Sequence, residues 1–194
     1  MRLSAPAKAP KVLLRDINGD VIQVGEGRRT LLAFFRDAAC PFCNMQVYRL
    51  TQHYASLHAL GLDVVAVFAS TPEEVRRFVL ARPRPFPVAA EPDGTAYDIY
   101  GIQKSFWRKL RALLLHFGSL LGGLRRLGLA GAVKGMAGLN TNNLMPADFL
   151  IDEQGYIAEA YYGRDAGDHI PFERVELFLA RGLLQRGAPV KRTV

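Results

Sequence analysis

Two continuous apolar runs, TLLAFF (30–35) and LDVVAVFA (62–69), constrain this chain more than any other feature. Neither shows the strict apolar/polar alternation of a strand with one wet face, so both read as strands buried on two sides. The stretch between them, Pro41 to Leu60, has helical spacing. Met45, Val47, Leu50, Tyr54, Leu57 and Leu60 are available to one broad face, and Gly61 follows in the usual position of a C-terminal cap. Strand, helix, strand is a crossover unit, and crossover units build parallel sheets covered by helices.

The flanking segments extend the pattern. VLLRDINGDVIQV sets two short apolar runs around Asn18-Gly19, a hairpin signal. Ser70 or Thr71 can cap a helix with Pro72 first and Glu73 and Glu74 in its first turn, running to Ala81. Phe86–Ala89 reads as a short strand and Thr95–Tyr100 as a short helix. Asp148–Asp152 and Tyr156–Tyr162 read as strands joined by a tight turn, hence antiparallel, and Pro171–Leu184 as an amphipathic helix. Residues 1–10 and 185–194 read as loose ends. There is no internal repeat. The length of 194 residues suits one domain, 11–184, with a full core. The expected class is α/β, a central mixed, mostly parallel sheet with helices on both faces.

The first strand and helix meet at CPFC, residues 40–43, which holds both cysteines of the chain. Proline is favoured at the first helical position, where its missing N–H costs nothing. That makes Cys40 the N-cap and Cys43 the third helical residue. First-turn N–H groups then point at the Cys40 sulfur and the helix dipole favours charge there, which lowers a thiol pKa from its free value of about 8.5. Cys43, one turn on, is within reach of a disulfide. The spacing thus supplies an attacking thiolate and a resolving thiol. Arg36 adds positive potential and Asp37 opposes it; geometry decides between them. A structural zinc half-site and an inert buried pair compete with the redox reading. Zinc wants four ligands, and His53, His58, His116 and His169 are scattered without ligand spacing.

Composition narrows the setting. A hydrophobic fraction of 49% and a charged fraction of 22% are ordinary for a globular protein. MRLSAPAKAPKVLL has no apolar core of signal-peptide length, and no uncharged apolar stretch spans a bilayer. The expected compartment is the cytoplasm, where a close cysteine pair is more often catalytic than structural. The net charge of +7 is local: Ile99 to Ala147 holds seven Lys or Arg and no acid, and the remainder has 18 of each sign. A whole-chain nucleic-acid binder would misread it.

FFRDAACPFC, FPVAAEPDGTAYDIYGI and MPADFLIDEQGYIAEAYYG together resemble the alkyl hydroperoxide reductase/thiol-specific antioxidant family, on the thioredoxin fold. The nearest likeness is to its peroxiredoxin-like, CxxC-containing members, and GRDAGDHIP resembles their tail pattern. The likeness runs in order over residues 12–183. It implies that Cys40 is the nucleophile and Cys43 the resolving thiol, closing a Cys40–Cys43 disulfide. It implies a peroxide or disulfide substrate, an external thiol reductant such as thioredoxin or glutathione, and no cofactor or metal. It also places Pro146 as a cis-proline opening the strand that faces the pair. Met145, Arg36, Pro41 and Phe42 then position substrate beside it, Met145 through its backbone. A trans proline merely opening a strand is the plainer alternative. Three departures stand out. The family's proline seven residues before the cysteine and its hydroxyl three before it are here Ala33 and Asp37, and its arginine before the FLID-type strand falls at Pro146. Hydroxyl and guanidinium hold the peroxide and stabilise the developing oxyanion.

Residues 103–145 interrupt this frame with a basic, helix-spaced insertion. Phe106, Leu110, Leu113, Leu114, Phe117, Leu121 and Leu124 form an apolar stripe beside Arg108, Lys109, Arg111, Arg125 and Arg126. Glycines at 118, 122, 123, 128 and 131 break it into short helices. The stripe suits a cap packed on the domain or on a second subunit in a homodimer. Peripheral membrane contact and docking of an acidic partner are its other uses, and either would make the chain a redox-regulated binding protein instead of an enzyme. His116, inside the stripe, and His169, in GDHIP, read as packing residues, with a minor site role open to His169.

Overall fold

The computed structural model describes residues 2–102 and 144–187. Residues 103–143 of the basic insertion and the tail from 188 on lie outside the described residues. Two strand elements precede the crossover unit: β1 (Ala7–Lys8) and the hairpin β2 (Leu14–Arg15) with β3 (Val21–Ile22). The hairpin turn is built by Asp16, whose carboxylate accepts from the N–H groups of Asn18 and Asp20 at 2.8 and 2.9 Å. Gly19 takes the positive φ of 93° that the turn requires. The first ten residues, expected to be loose, instead contribute the edge strand β1, which pairs antiparallel with residues 156–157.

β4 (Arg29–Phe35) and β5 (Leu62–Phe68) are the two apolar runs, parallel and in register from Arg29↔Leu62 to Phe35↔Phe68. β6 (Val88–Ala90) adds a third parallel strand. On the other side, β7 (Ala147–Ile151) runs antiparallel to β4, and β8 (Tyr156–Tyr162) antiparallel to β7. The six-stranded order is β1-β8-β7-β4-β5-β6. The sheet is mixed, with its parallel part confined to β4, β5 and β6.

Alternate residues of β4 feed two cores. Leu31, Ala33 and Phe35 pack under α1 (Pro41–Ala59) and α4 (Phe172–Gly187), together with Val75 and Val79. Leu32 and Phe34 face the hairpin and α3 (Thr95–Ile99). α1 ends at Leu60, and Gly61 follows with a φ of 86°. α2 (Pro72–Glu74) starts with a reciprocal cap: Glu74 N–H donates to Thr71 Oγ1, and Thr71 N–H to the Glu74 carboxylate. It widens at once into a π-helical turn, Val75–Val79, closed by Leu80 N–H donating to Val75 O. Periodicity could not show this, because Val75 and Val79, four apart, share the core face of an ordinary α-helix as well.

The Met145–Pro146 bond is trans: among the described residues only Ala5–Pro6 is cis. The cis-proline expectation is therefore corrected. Trans is the lower-energy form by about 0.5–1 kcal/mol. Here it lets the strand run straight, with Pro146 O accepting from Gly163 N–H at 2.9 Å.

Phe149 ties both ends of the second core, meeting Phe34, Tyr100 and Tyr162 at ring separations of 5.9, 4.9 and 5.5 Å. Phe149→Ala should lower unfolding free energy by about 3–5 kcal/mol, read by urea denaturation with an unchanged m-value.

Candidate active site

One end of the sheet gathers the chemistry. The C-terminal end of β4 leads through residues 36–40 into α1, and the residues just before β7 and after β8 arrive beside it. Cys40 is the N-cap of α1 (φ −66°, ψ 121°), with Pro41 at the first position. Ala39 N–H donates to Asp37 Oδ1 at 2.7 Å and Cys40 N–H to Asp37 O at 3.1 Å, so Asp37 builds the loop that presents the cysteine. Ala38 N–H donates to Ser70 Oγ at 3.0 Å, which fixes the loop to the end of β5.

Both thiols are free and buried, Cys40 4% exposed and Cys43 fully enclosed. They are unequal. Cys40 is lowered from its ordinary 9.0 to about 6: the Cys43 thiol donates to it, the first-turn amides of Cys43 and Phe42 face it, and the Arg36 charge adds to them, against the opposing effect of burial. The sulfur makes no capping hydrogen bond of regular geometry, so the amides act mainly through their field. Cys43 is pushed well up, first by burial and then by the neighbouring Cys40. The contest between Arg36 and Asp37 resolves for Arg36, whose charge favours the thiolate while the Asp37 carboxylate is held in the loop.

Arg36 is itself buried, 4% exposed, and its Nε and Nη2 meet no partner among the described residues. The β4–β7 register pairs Phe34 with Ala147; carried on, it sets Pro146 across from Phe35 and Met145 across from Arg36. Met145 is 3% exposed. Pro41 is exposed, while Phe42 is half-buried against the α1-side core and 3.8 Å from where a Cβ on Gly167 would lie. Thus Cys40, Cys43, Arg36, Pro41, Phe42, Met145 and Pro146 all fall at this end of the sheet.

Sequence reasoning undervalued one neighbour. His169 and Asp148 form a buried pair, Nδ1 to Oδ2 at 3.0 Å. The available signal was a lone aspartate in the otherwise apolar strand ADFLI. No group of three or more ligating side chains suited to a metal occurs among the described residues.

Comparison with known proteins accords with this geometry. A family profile described as AhpC/TSA family matches residues 6–160. The chain belongs to the AhpC/TSA family. A putative peroxiredoxin of Mycobacterium tuberculosis (strain ATCC 25618 / H37Rv) is 25% identical over 181 residues, covering 91% of this chain and 96% of that protein. Peroxiredoxin Bcp of Escherichia coli (strain K12) is 29% identical over 111 residues, 55% of this chain and 71% of that one. The crystal structure of peroxidoxin BcpB from M. tuberculosis shares the fold, with a TM-score of 0.64 at 13% identity over 96% of this chain and 99% of that one. The chain is therefore a peroxiredoxin-like thiol oxidoreductase on the thioredoxin fold, as the three motifs implied.

A thiolate reacts and a thiol does not. Alkylation of the reduced protein by iodoacetamide should rise with pH through a midpoint near 6, set by Cys40, instead of near 9. Below the midpoint Cys40 is protonated and slow; above it the rate is flat until Cys43 ionises. Arg36→Gln should move the midpoint up, since a favourable charge is lost.

Proposed function

We propose that the pair reduces a peroxide, with Cys40 as nucleophile and Cys43 as resolving thiol. The observation that carries this is the buried Arg36 guanidinium, unpartnered at Nε and Nη2 among the described residues, whose charge acts on Cys40. An unpaired buried cation is costly, and a peroxide oxygen developing negative charge would satisfy it. Cys40 attacks the terminal peroxide oxygen. The O–O bond breaks, the alcohol or water leaves with a proton, and Cys40 becomes a sulfenic acid. Cys43 displaces its hydroxyl as water to give the Cys40–Cys43 disulfide. An external dithiol or glutathione restores the reduced pair. In this reading Arg36 serves from the end of β4, while Phe42, Pro41, Met145 and Pro146 shape the approach. No metal or organic cofactor enters, because thiol exchange needs none.

A second reading, a protein disulfide as oxidant, has one observation in its favour. Met45 and Tyr48, one and two turns past Phe42 on α1, are 48% and 51% exposed, an apolar strip beside the thiols suited to a polypeptide partner. We place the enzyme in the cytoplasm, where thiol reductants keep the pair reduced. No described helix is long and apolar enough to cross a membrane. The binding-protein reading rests on the insertion, and residues 103–143 of it lie outside the described residues.

Stopped-flow mixing of the reduced protein with hydrogen peroxide and, separately, with a protein disulfide decides between the oxidants. The expected result is a faster second-order rate with peroxide, abolished in Cys40→Ser. Arg36→Gln should cost about 10²-fold in that rate. A faster rate with the disulfide would sink the peroxide reading.

A further inference from the structure

One polar side chain of α1 has no part in the peroxide reading. Asn44 is the fourth residue of the helix, a place where asparagine is a poor helix former because its amide competes for backbone groups. It does so here. Its Nδ2 donates to Ala38 O at 2.6 Å and to Cys40 O at 3.1 Å. The Cys40 carbonyl already accepts the first helical bond, from Asn44 N–H at 3.1 Å. The helix itself therefore has no need of this side chain. What the amide adds is a hold on Ala38, six residues back in the loop that presents Cys40.

Ala38 is held from its other side as well. Its N–H donates to Ser70 Oγ at 3.0 Å. Ser70 is 3% exposed, and the cap of α2 that it might have supplied is made by Thr71, which leaves the Ser70 hydroxyl to the loop. Asp37 holds the next two amides, Ala39 N–H at Oδ1 (2.7 Å) and Cys40 N–H at its carbonyl (3.1 Å). Each N–H from Ala38 to Cys40 thus has a named partner, and so do the Ala38 and Cys40 carbonyls. The loop meets both sulfurs. Cys40 is its last residue, and the amides of Arg36 and Asp37 face Cys43.

We propose that Asn44, with Ser70 as its counterpart, is a positioning residue for the cysteine pair: the two hold Ala38 by its carbonyl and its amide, and so fix the direction in which Cys40 presents its sulfur. The proposal rests on the reading of Cys40 as the nucleophile. Both side chains act through the backbone of the loop. With Ala38 held, the Cys40 sulfur stays where the Cys43 thiol and the amides of Cys43 and Phe42 converge on it. With Ala38 released, the N-cap residue turns more freely about its own φ and ψ. The sulfur then spends less time at the helix terminus and less time aimed at the substrate. Asn44 comes from the helix after β4 and Ser70 from the residues after β5, so the clasp closes only once those two strands are paired.

The test compares the parent with Asn44→Ala, Ser70→Ala and the double variant, each checked for folding by urea denaturation. Alanine is the better helix former, so Asn44→Ala leaves α1 itself unweakened. In each single variant the second-order rate of the reduced protein with hydrogen peroxide should fall about ten-fold, as expected when a reacting group is misplaced by part of an ångström. The midpoint of iodoacetamide alkylation should rise from its value near 6, which a merely structural role would not move. The double variant should lose no more than about two-fold beyond the slower single one, because two holds on one residue act as a unit. Ser70→Ala, the smaller change, covers the case in which the asparagine variant does not fold. A folded single variant with a rate within about two-fold of the parent, or with an unmoved midpoint, overturns the proposal, and so do losses that multiply in the double variant. A parent that does not react with peroxide overturns the peroxide reading instead, and the alkylation midpoints still judge the clasp.

Discussion

The meeting of β4 with α1 governs the rest. A strand enclosed on both faces ends in a five-residue loop, and the loop turns into a helix whose first residue is proline. That junction puts one sulfur at the positive end of α1 and the other one turn inside it. Burial alone would raise both thiols. The hydrogen bond between them breaks the symmetry: the outer sulfur accepts, the inner one donates, and the charge settles on Cys40. The strands around the junction need only hold it still. Tyr97 contributes from the far core, its hydroxyl lying 2.6 Å from Phe35 O and 2.9 Å from Val67 O, so the ends of β4 and β5 stay locked under the loop.

What was legible in the sequence is what depends on neighbours along the chain. TLLAFF reads as a buried strand because five apolar residues in a row leave no wet face, and CPFC reads as a helix start because proline permits little else there. The hairpin at Asn18-Gly19 and the reciprocal cap at Thr71 and Glu74 are equally local. What was hidden depends on partners far away. β1 has two residues and no periodicity; it exists because β8 offers an edge. The sign of the field at Cys40 turned on where Asp37 points, and its carboxylate serves the loop amide of Ala39. Asp148 and His169 lie 21 residues apart in sequence and meet only after β7, β8 and the loop after β8 are in place.

The same contrast bears on the family likeness. The arginine that the pattern expects before the FLID-type strand is replaced by Pro146, and the strand enters trans. A guanidinium nonetheless reaches the site, from Arg36 at the end of β4. The β4–β7 register, carried on, sets Arg36 across from Met145, the residue before Pro146. A positive charge thus acts on the Cys40 sulfur from the end of β4. Among the described residues this buried cation has no partner at Nε and Nη2, the kind of group an anionic transition state would satisfy.

The donor that stabilises the Cys40 thiolate is also the group that must later attack it. At rest Cys43 has to keep its proton, since the hydrogen bond it donates is the largest cause of the low Cys40 value. After Cys40 is oxidised that same proton obstructs disulfide closure, because a protonated thiol is a poor nucleophile. A centre of this kind works only if Cys43 loses its proton late and by a route separate from Cys40.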